Sequence, residues 1–201
     1  MKNRRNQKIY RLWAHVYDRF MDQPWFRSAR QKQVQLAELA PKDQILLVGI
    51  GTGLDLPHMP EDIEITGIDL TPEMLNKVES YIDTHQLTLK VMNAENLEFP
   101  TQTFDKIFLN LILSVVENPR QALSEAQRVV KSEGSIWIFD KFSRSPTHVG
   151  MFRKSLNVLT QTLGTDINRS IEEILEGTDL EKVYDEPVLG GAYRIIQLKK
   201  S

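Results

Sequence analysis

The sequence predicts an α/β fold: a mostly parallel sheet with helices on both faces, finished by a C-terminal antiparallel hairpin. Three observations carry this expectation. Short apolar runs alternate with helical stretches between residues 44 and 140, as strands buried on both faces with helical crossovers require. The first run, Ile45-Leu46-Leu47-Val48, ends in Gly49, Gly51 and Gly53 at alternate positions. The tail from Lys182 to Lys199 carries Gly190-Gly191 between two apolar stretches, a hairpin signal.

The elements follow in order. Ile9, Trp13, Val16 and Phe20 recur at helical spacing, with Tyr10, Tyr17 and Met21 close beside them. Pro24 opens a second helix at its first turn, and Pro41 falls where that helix must have ended. Strands are expected at about 44–49, 64–69, 88–92, 104–109 and 134–140. Pro57 and Pro60 leave almost no room for a helix between the first two strands. Thr71-Pro72-Glu73 starts a helix with a cap, a proline and an acid near its positive end. Asn118-Pro119 starts another that runs to about Lys131. With no repeat and no low-complexity linker, residues 1–201 read as one domain, helical at 1–40 and again at 141–178.

Composition narrows the function classes. A chain of 201 residues can form one sizeable core. No run approaches the roughly 18 apolar residues of a membrane span, and the N-terminus is too basic for a signal peptide, which points to the cytoplasm. The absence of cysteine excludes disulfides, thiolate metal sites and a cysteine nucleophile. Four histidines with no i, i+4 pair make no metal site, and His58 and His148 read as surface-loop residues. Charge is uneven: residues 1–32 hold nine bases and two acids, a net of +7, which leaves −9 on the remainder of a chain totalling −2. An acidic body repels phosphates, so nucleic acid is not the expected partner.

The glycine turn carries the chemistry. Without Cβ atoms it lets backbone N–H groups approach a ligand closely. A second apolar run, Ile65-Thr66-Gly67-Ile68, ends on Asp69, placed to accept both hydroxyls of a ribose. Strand, glycine turn, strand and acid together make a nucleoside site. A dinucleotide fold would want a third glycine where Leu54 stands, and no Gly-Lys-Ser/Thr follows the turn to make a P-loop.

Gly49-x-Gly51-x-Gly53 resembles the first motif of the class I S-adenosylmethionine (SAM)-dependent methyltransferases, and the likeness continues in order along the chain. Asn93-Ala94-Glu95 after the third strand resembles the family's adenine-binding segment, usually Asp-Ala-Glu; an amide in place of the carboxylate can still accept from an adenine amino group. Phe104 to Asn110 resembles the fourth strand, after which relatives place the methyl-transfer site. Arg128 to Gly134 resembles the turn before the fifth strand, where Pro-Gly-Gly is more usual. The resemblance implies a Rossmann-like, mostly parallel seven-stranded sheet with SAM as cofactor and S-adenosylhomocysteine (SAH) as product. The contacts it implies are Gly49, Ile50, Gly51, Gly53, Asp69, Leu70, Asn93, Ala94, Glu95 and Asn110.

Tyr10-x-x-Trp13-Ala14-x-x-Tyr17-Asp18, with Asp55-Leu56-Pro57 after the turn, is similar to the branch holding bacterial phosphatidylethanolamine N-methyltransferases, near the ubiquinone-biosynthesis methyltransferases. In that branch the N-terminal helix covers the site and touches the membrane. Residues 1–40 are then a helical lid, Tyr17 closes over the cofactor, and the basic, aromatic segment 1–22 is suited to an anionic membrane interface. A second reading keeps the helix as a lid alone, and Tyr17 as core. Residues 141–178 occupy the usual place of a substrate-recognition insertion. Lys141, Asn168 and Arg169 are its candidate substrate contacts. Lys141, Arg153, Arg169 and Arg194 are able to hold a lipid phosphate or to pair with carboxylates. Asp140 and Asp166 are candidates for caging an amine.

Because the sulfonium methyl is already activated, the reaction needs positioning and exclusion of water more than a nucleophile. No residue stands out as a catalytic base. Three functions are consistent with these residues: methyl transfer to an amphipathic or lipid acceptor such as the amine of phosphatidylethanolamine, methyl transfer to a soluble small molecule or quinone precursor, and non-catalytic SAM binding.

Overall fold

Seven strands form one sheet in the order β3-β2-β1-β4-β5-β7-β6. They are β1 (Gln44–Val48), β2 (Glu64–Asp69), β3 (Gln86–Val91), β4 (Phe104–Asn110), β5 (Val130–Asp140), β6 (Leu180–Val188) and β7 (Tyr193–Lys200). A computed structural model describes residues 21–78, 81, 86–142 and 169–201. β1 to β5 pair in parallel, and β7 runs antiparallel between β5 and β6. The expected Rossmann-like sheet and terminal hairpin are both present.

Helices α1 (Pro24–Ala37), α2 (Pro72–Val78), α3 (Pro119–Val129) and α4 (Ile171–Leu175) cover its two faces. Alternation along β1 divides the core. Ile45 and Leu47 join Phe26, Ala29, Val34 and Ala37 of α1 and Leu75 and Val78 of α2. Leu46 and Val48 join Ala122, Leu123, Ala126 and Val129 of α3 and Ile171 and Ile174 of α4. Each such fully buried aliphatic side chain contributes roughly 1.5–3 kcal/mol through removal from water. The anticipated prolines do open helices: Pro24 and Pro119 each sit in the first turn, where a missing N–H costs nothing. Asn118 caps α3 by accepting from the Gln121 N–H at 3.1 Å. Between β1 and β2 there is only a three-residue 3₁₀ turn, Leu56–His58.

Most strand bounds fall within two residues of expectation, as for β3 at 86–91 against 88–92, and the largest difference is at β5. β5 begins at Val130 rather than 134, because α3 ends at Val129 and the chain passes directly into the strand. The register with β4 shifts between Phe104 and Lys106, so the Lys131-to-Gly134 stretch is a bulge, not a turn. Gly134 permits it: a Cβ there would stand 2.6 Å from the Asp105 carbonyl oxygen. Lys131 fixes the bulge by donating to both Asp105 carboxylate oxygens, at 2.9 and 2.8 Å. The hairpin turn uses Gly190 and Gly191 at φ 65° and 83°. The described part of the 1–40 segment is residues 21–40, which hold α1, and of the 141–178 segment Lys141, Phe142 and residues 169–178; the rest of both lies outside the described residues. No described helix is long and apolar enough to cross a membrane.

Candidate functional site

The carboxyl ends of β1, β2 and β4, with the segment after β3, converge on one cavity of about 140 Å³. This is the crevice where strand order reverses, between β1 and β4, the place open α/β sheets bind ligands. Gly49 and Gly51 turn the chain at φ 70° and 57°. A Cβ on Gly51 would meet nothing nearer than the Gly49 carbonyl oxygen at 3.9 Å, so the missing side chain leaves room on the cavity wall. The Gly49 and Ile50 N–H groups donate to the Ile68 carbonyl at 2.8 and 2.9 Å, which ties the turn to β2.

Asp69 ends β2 at the cavity, where its carboxylate accepts from the Gly51 N–H at 3.0 Å and the Thr71 N–H at 2.8 Å. Burial pushes its pKa above the usual carboxylate value, and the backbone donors pull partly back. The Thr71 side chain and the Leu70 N–H also bond to it, so ligand hydroxyls would join a set of protein donors that already holds the carboxylate in place. Leu70 and Ala94 line the cavity, as does Asn93, whose Oδ1 accepts from the Glu95 N–H at 3.0 Å. That bond leaves the amide a second lone pair and two donors. Asn110 also lines the cavity, with its amide clamped: Nδ2 donates to Asp55 at 3.1 Å and Oδ1 accepts from Gln33 at 2.9 Å.

Two expected cofactor contacts sit back from the cavity. Gly53 packs under Leu56 and Tyr81 at φ 84°, where it shapes the turn. Glu95 turns toward α3 and accepts from the Asn118 N–H at 3.0 Å. Tyr17 and Asn168 lie outside the described residues, as do Arg153, Asp166 and His148.

The candidate substrate cations are placed differently from one another. Lys141 follows β5, half-buried, and its N–H donates to Asp140 at 2.8 Å; burial lowers its ammonium pKa. Arg169 donates to the carbonyls of Leu113 and, at 2.8 Å, Val116, so it holds the cavity-lining segment after β4. Arg194 pairs with Asp185, with Nε to Oδ1 at 2.8 Å. Asp140 is fully buried and accepts from the Ser114 N–H at 2.9 Å. Burial raises its pKa, and through Ser114 it holds the same segment as Arg169 does. His58 is half-buried on the 3₁₀ turn, with its pKa lowered by burial.

Sequence reasoning missed Arg30, Asp55, Thr71, Leu111, Ile112, Val115 and Val116 as lining residues. For Arg30 there was a signal: with Gln33 it falls among Phe26, Ala29, Val34 and Ala37 on the buried face of α1. A polar pair in an apolar stripe needs partners. Leu111 had none, since its left-handed φ of 58° depends on the tertiary bond from its N–H to the Phe139 carbonyl at 2.8 Å. Among the described residues no group of three His, Cys, Asp or Glu side chains could hold a metal.

Comparison with known proteins agrees with this architecture. The family described as Methyltransferase domain matches residues 46–138. The chain is 30% identical over 202 residues to the phosphatidylethanolamine N-methyltransferase of Cereibacter sphaeroides, covering 96% of each. It is 28% identical over 155 residues to the demethylmenaquinone methyltransferase of Tropheryma whipplei, covering 73% of this chain and 62% of that one. In fold it is similar to a chain of the Haloferax volcanii complex between the Trm112 methyltransferase activator and a methyltransferase. The TM-score is 0.77 at 16% identity, over 94% of this chain and 96% of that one. With a Gly51 turn and a half-buried Asp69 that fit a nucleoside, and a relative matched over 96% of both chains, the chain belongs to the class I SAM-dependent methyltransferases.

Proposed function

We propose that this methyltransferase transfers the methyl group to an amphipathic or lipid acceptor, the amine of phosphatidylethanolamine being the first candidate. The observation that carries the reading is the similarity to a phosphatidylethanolamine N-methyltransferase over 96% of both chains. It is supported by the wall after β4, where Leu111, Ile112, Val115 and Val116 offer an apolar flank to an acceptor. The basic, aromatic N-terminal segment would bring residues 1–22 to an anionic membrane interface. A soluble or quinone-precursor acceptor is the second reading, favoured by the demethylmenaquinone methyltransferase relative.

In this reading Asp69 takes the ribose hydroxyls, the Gly49–Gly51 turn lies beneath the sulfur-bearing chain, and Asn93 and Ala94 flank the adenine. SAM supplies an electrophilic methyl group, so the protein's part is to orient the acceptor and keep water out. The ionisable side chains among the described lining residues are Arg30, Asp55 and Asp69. Arg30 and Asp55 pair with each other, and Asp69 is pinned by backbone donors. None of the three is placed as a base. An amine acceptor therefore gives up its proton to a group outside this set or to its own phosphate.

The test is incubation with methyl-labelled SAM and a total bacterial extract, followed by partition between organic and aqueous phases. Label in the organic phase, resolved by chromatography into aminophospholipid or quinone, is the expected result. Label confined to the aqueous phase would sink the lipid reading.

A further inference from the structure

The sheet ends in two edges of different character. On β6 the register with β7 shifts around Val183, Pro187 offers no N–H, and Glu181, Lys182, Asp185 and Glu186 charge the strand. Bulges, prolines and charges of this kind keep an edge from pairing with another chain. β3, at the other edge, lacks such protection. Its six residues pair with β2 without a shift, it holds no proline, and its single charge is Lys90, whose ammonium stands 5.0 Å from the centre of the Phe99 ring. Val91 is 56% exposed, the most of any large apolar side chain among the described residues. Among those residues no strand lies beyond β3.

The backbone of this edge points in a defined way. The Met92 N–H donates to the Asp69 carbonyl at 3.0 Å, so it is directed toward β2. Alternation back along the strand turns the N–H and C=O groups of Leu87, Leu89 and Val91 outward. The side chains of the same three residues share one face, where Leu87 and Leu89 pack on the core that α1 and α2 cover.

We propose that β3 pairs with β3 of a second copy of this chain, antiparallel about a two-fold axis at Leu89, so that two sheets become one. In that register Leu89 faces Leu89 of the second copy, and Leu87 faces its Val91 on either side of the axis. All three outward-facing residues then fall in hydrogen-bonded pairs, each exchanging two N–H···O bonds, and the apolar stripes meet on one face. On the other face Thr88 meets Lys90 of the second copy in a closer, non-hydrogen-bonded pair, where the hydroxyl can accept from the ammonium. A slip of two residues one way would set the two Lys90 side chains against each other. A slip the other way would carry Val91 past the first residue of the facing strand. The edge is thus self-complementary, as a two-fold interface requires, and this selects a second copy over an unrelated strand. β3 runs on into Met92 and Asn93 of the cavity wall, so the pairing braces that wall as well.

The experiment is sedimentation equilibrium of wild type, Thr88→Lys, Thr88→Glu and Val91→Pro, each with a thermal melt. Thr88 and Val91 are exposed, and the outward Val91 N–H makes no bond to β2, so all three variants should fold. Wild type should dimerise with a Kd of about 1–100 μM, as suits an interface of edge size. Thr88→Lys sets like charges opposite each other twice across the axis and should weaken the dimer roughly threefold or more, while Thr88→Glu should tighten it by a similar factor. Both effects should shrink in high salt. Val91→Pro, which removes an outward donor from each strand, should sediment as a monomer. A wild type that stays monomeric at about 100 μM would overturn the proposal. So would Thr88 variants that fail to move the equilibrium in opposite directions, or a folded Val91→Pro that dimerises as wild type does. If Val91→Pro does not fold, the two Thr88 variants decide by the same criterion.

Discussion

The backbone N–H of Gly51 donates to Asp69 Oδ2 across 3.0 Å, joining the turn after β1 to the acid that ends β2. Two residues 18 apart in sequence, at the carboxyl ends of adjacent strands, are thereby fixed at the point where the ligand must sit. The bond explains why a glycine turn and a carboxylate work as one unit: Asp69 orients the turn, and the turn's donors keep Asp69 in place.

Gly51→Ala and Gly134→Ala should separate affinity from stability. Gly51 lines the cavity at a φ of 57°, and a Cβ there would meet nothing nearer than the Gly49 carbonyl oxygen at 3.9 Å. Left-handed strain of about 1–2 kcal/mol is expected there, with SAH affinity falling more than tenfold. At Gly134 the Cβ meets the Asp105 carbonyl at 2.6 Å, and backbone cannot swing aside. About 1–3 kcal/mol of destabilisation should follow, lowering the melting temperature by roughly 2–12 °C with SAH affinity nearly unchanged. Thermal melts and titrations of both variants check this. A reversed pattern would contradict the placement.

The order of strands and helices was legible because it rests on local physics: apolar runs of strand length, prolines at helix starts and glycines at turns. Asp69 and the glycine turn were legible for the same reason, since each ends its own strand. What was not legible depends on contacts distant in sequence. The bulge from Lys131 to Gly134 reads as a turn until β4 lies beside it and Asp105 takes Lys131. Arg169 reads as a ligand for an anion until the Leu113 and Val116 carbonyls are found in front of it.

Arg169 therefore carries a structural prediction. Arg169→Ala removes donors to two carbonyls of the segment that walls the cavity, at about 1 kcal/mol each. A fall of roughly 4–8 °C in melting temperature is expected, and Arg169→Lys should restore only part of it, because an ammonium lacks the planar fork. Differential scanning calorimetry on the two variants would show it; unchanged stability in Arg169→Ala would point back to a ligand-facing role.

Acidification should loosen the cofactor early. Burial raises the Asp69 carboxyl above its ordinary value of 3.8. The folded protein then holds that proton more tightly than the unfolded chain does, so this group's contribution to stability falls as pH rises from 3.8 through the raised folded value. Affinity runs the other way, since the ionised form is the better acceptor for ribose hydroxyls. SAH binding should weaken as pH falls through a range above 3.8, and an Asp69→Asn variant should lack that part of the pH dependence. Titrations from pH 7.5 downward, stopped where circular dichroism first changes, test the difference between the two proteins.

The most direct measurement is calorimetric titration of SAH into wild type and Asp69→Ala, with a thermal melt of each. Removing a charged acceptor of two ligand hydroxyls costs about 1.5–3 kcal/mol, or roughly 10- to 100-fold in affinity. The account predicts saturable one-to-one binding by wild type and a loss of that size in a variant that still melts cooperatively. Equal affinity in the two proteins would contradict it, because the ribose would then be held somewhere other than the carboxyl end of β2.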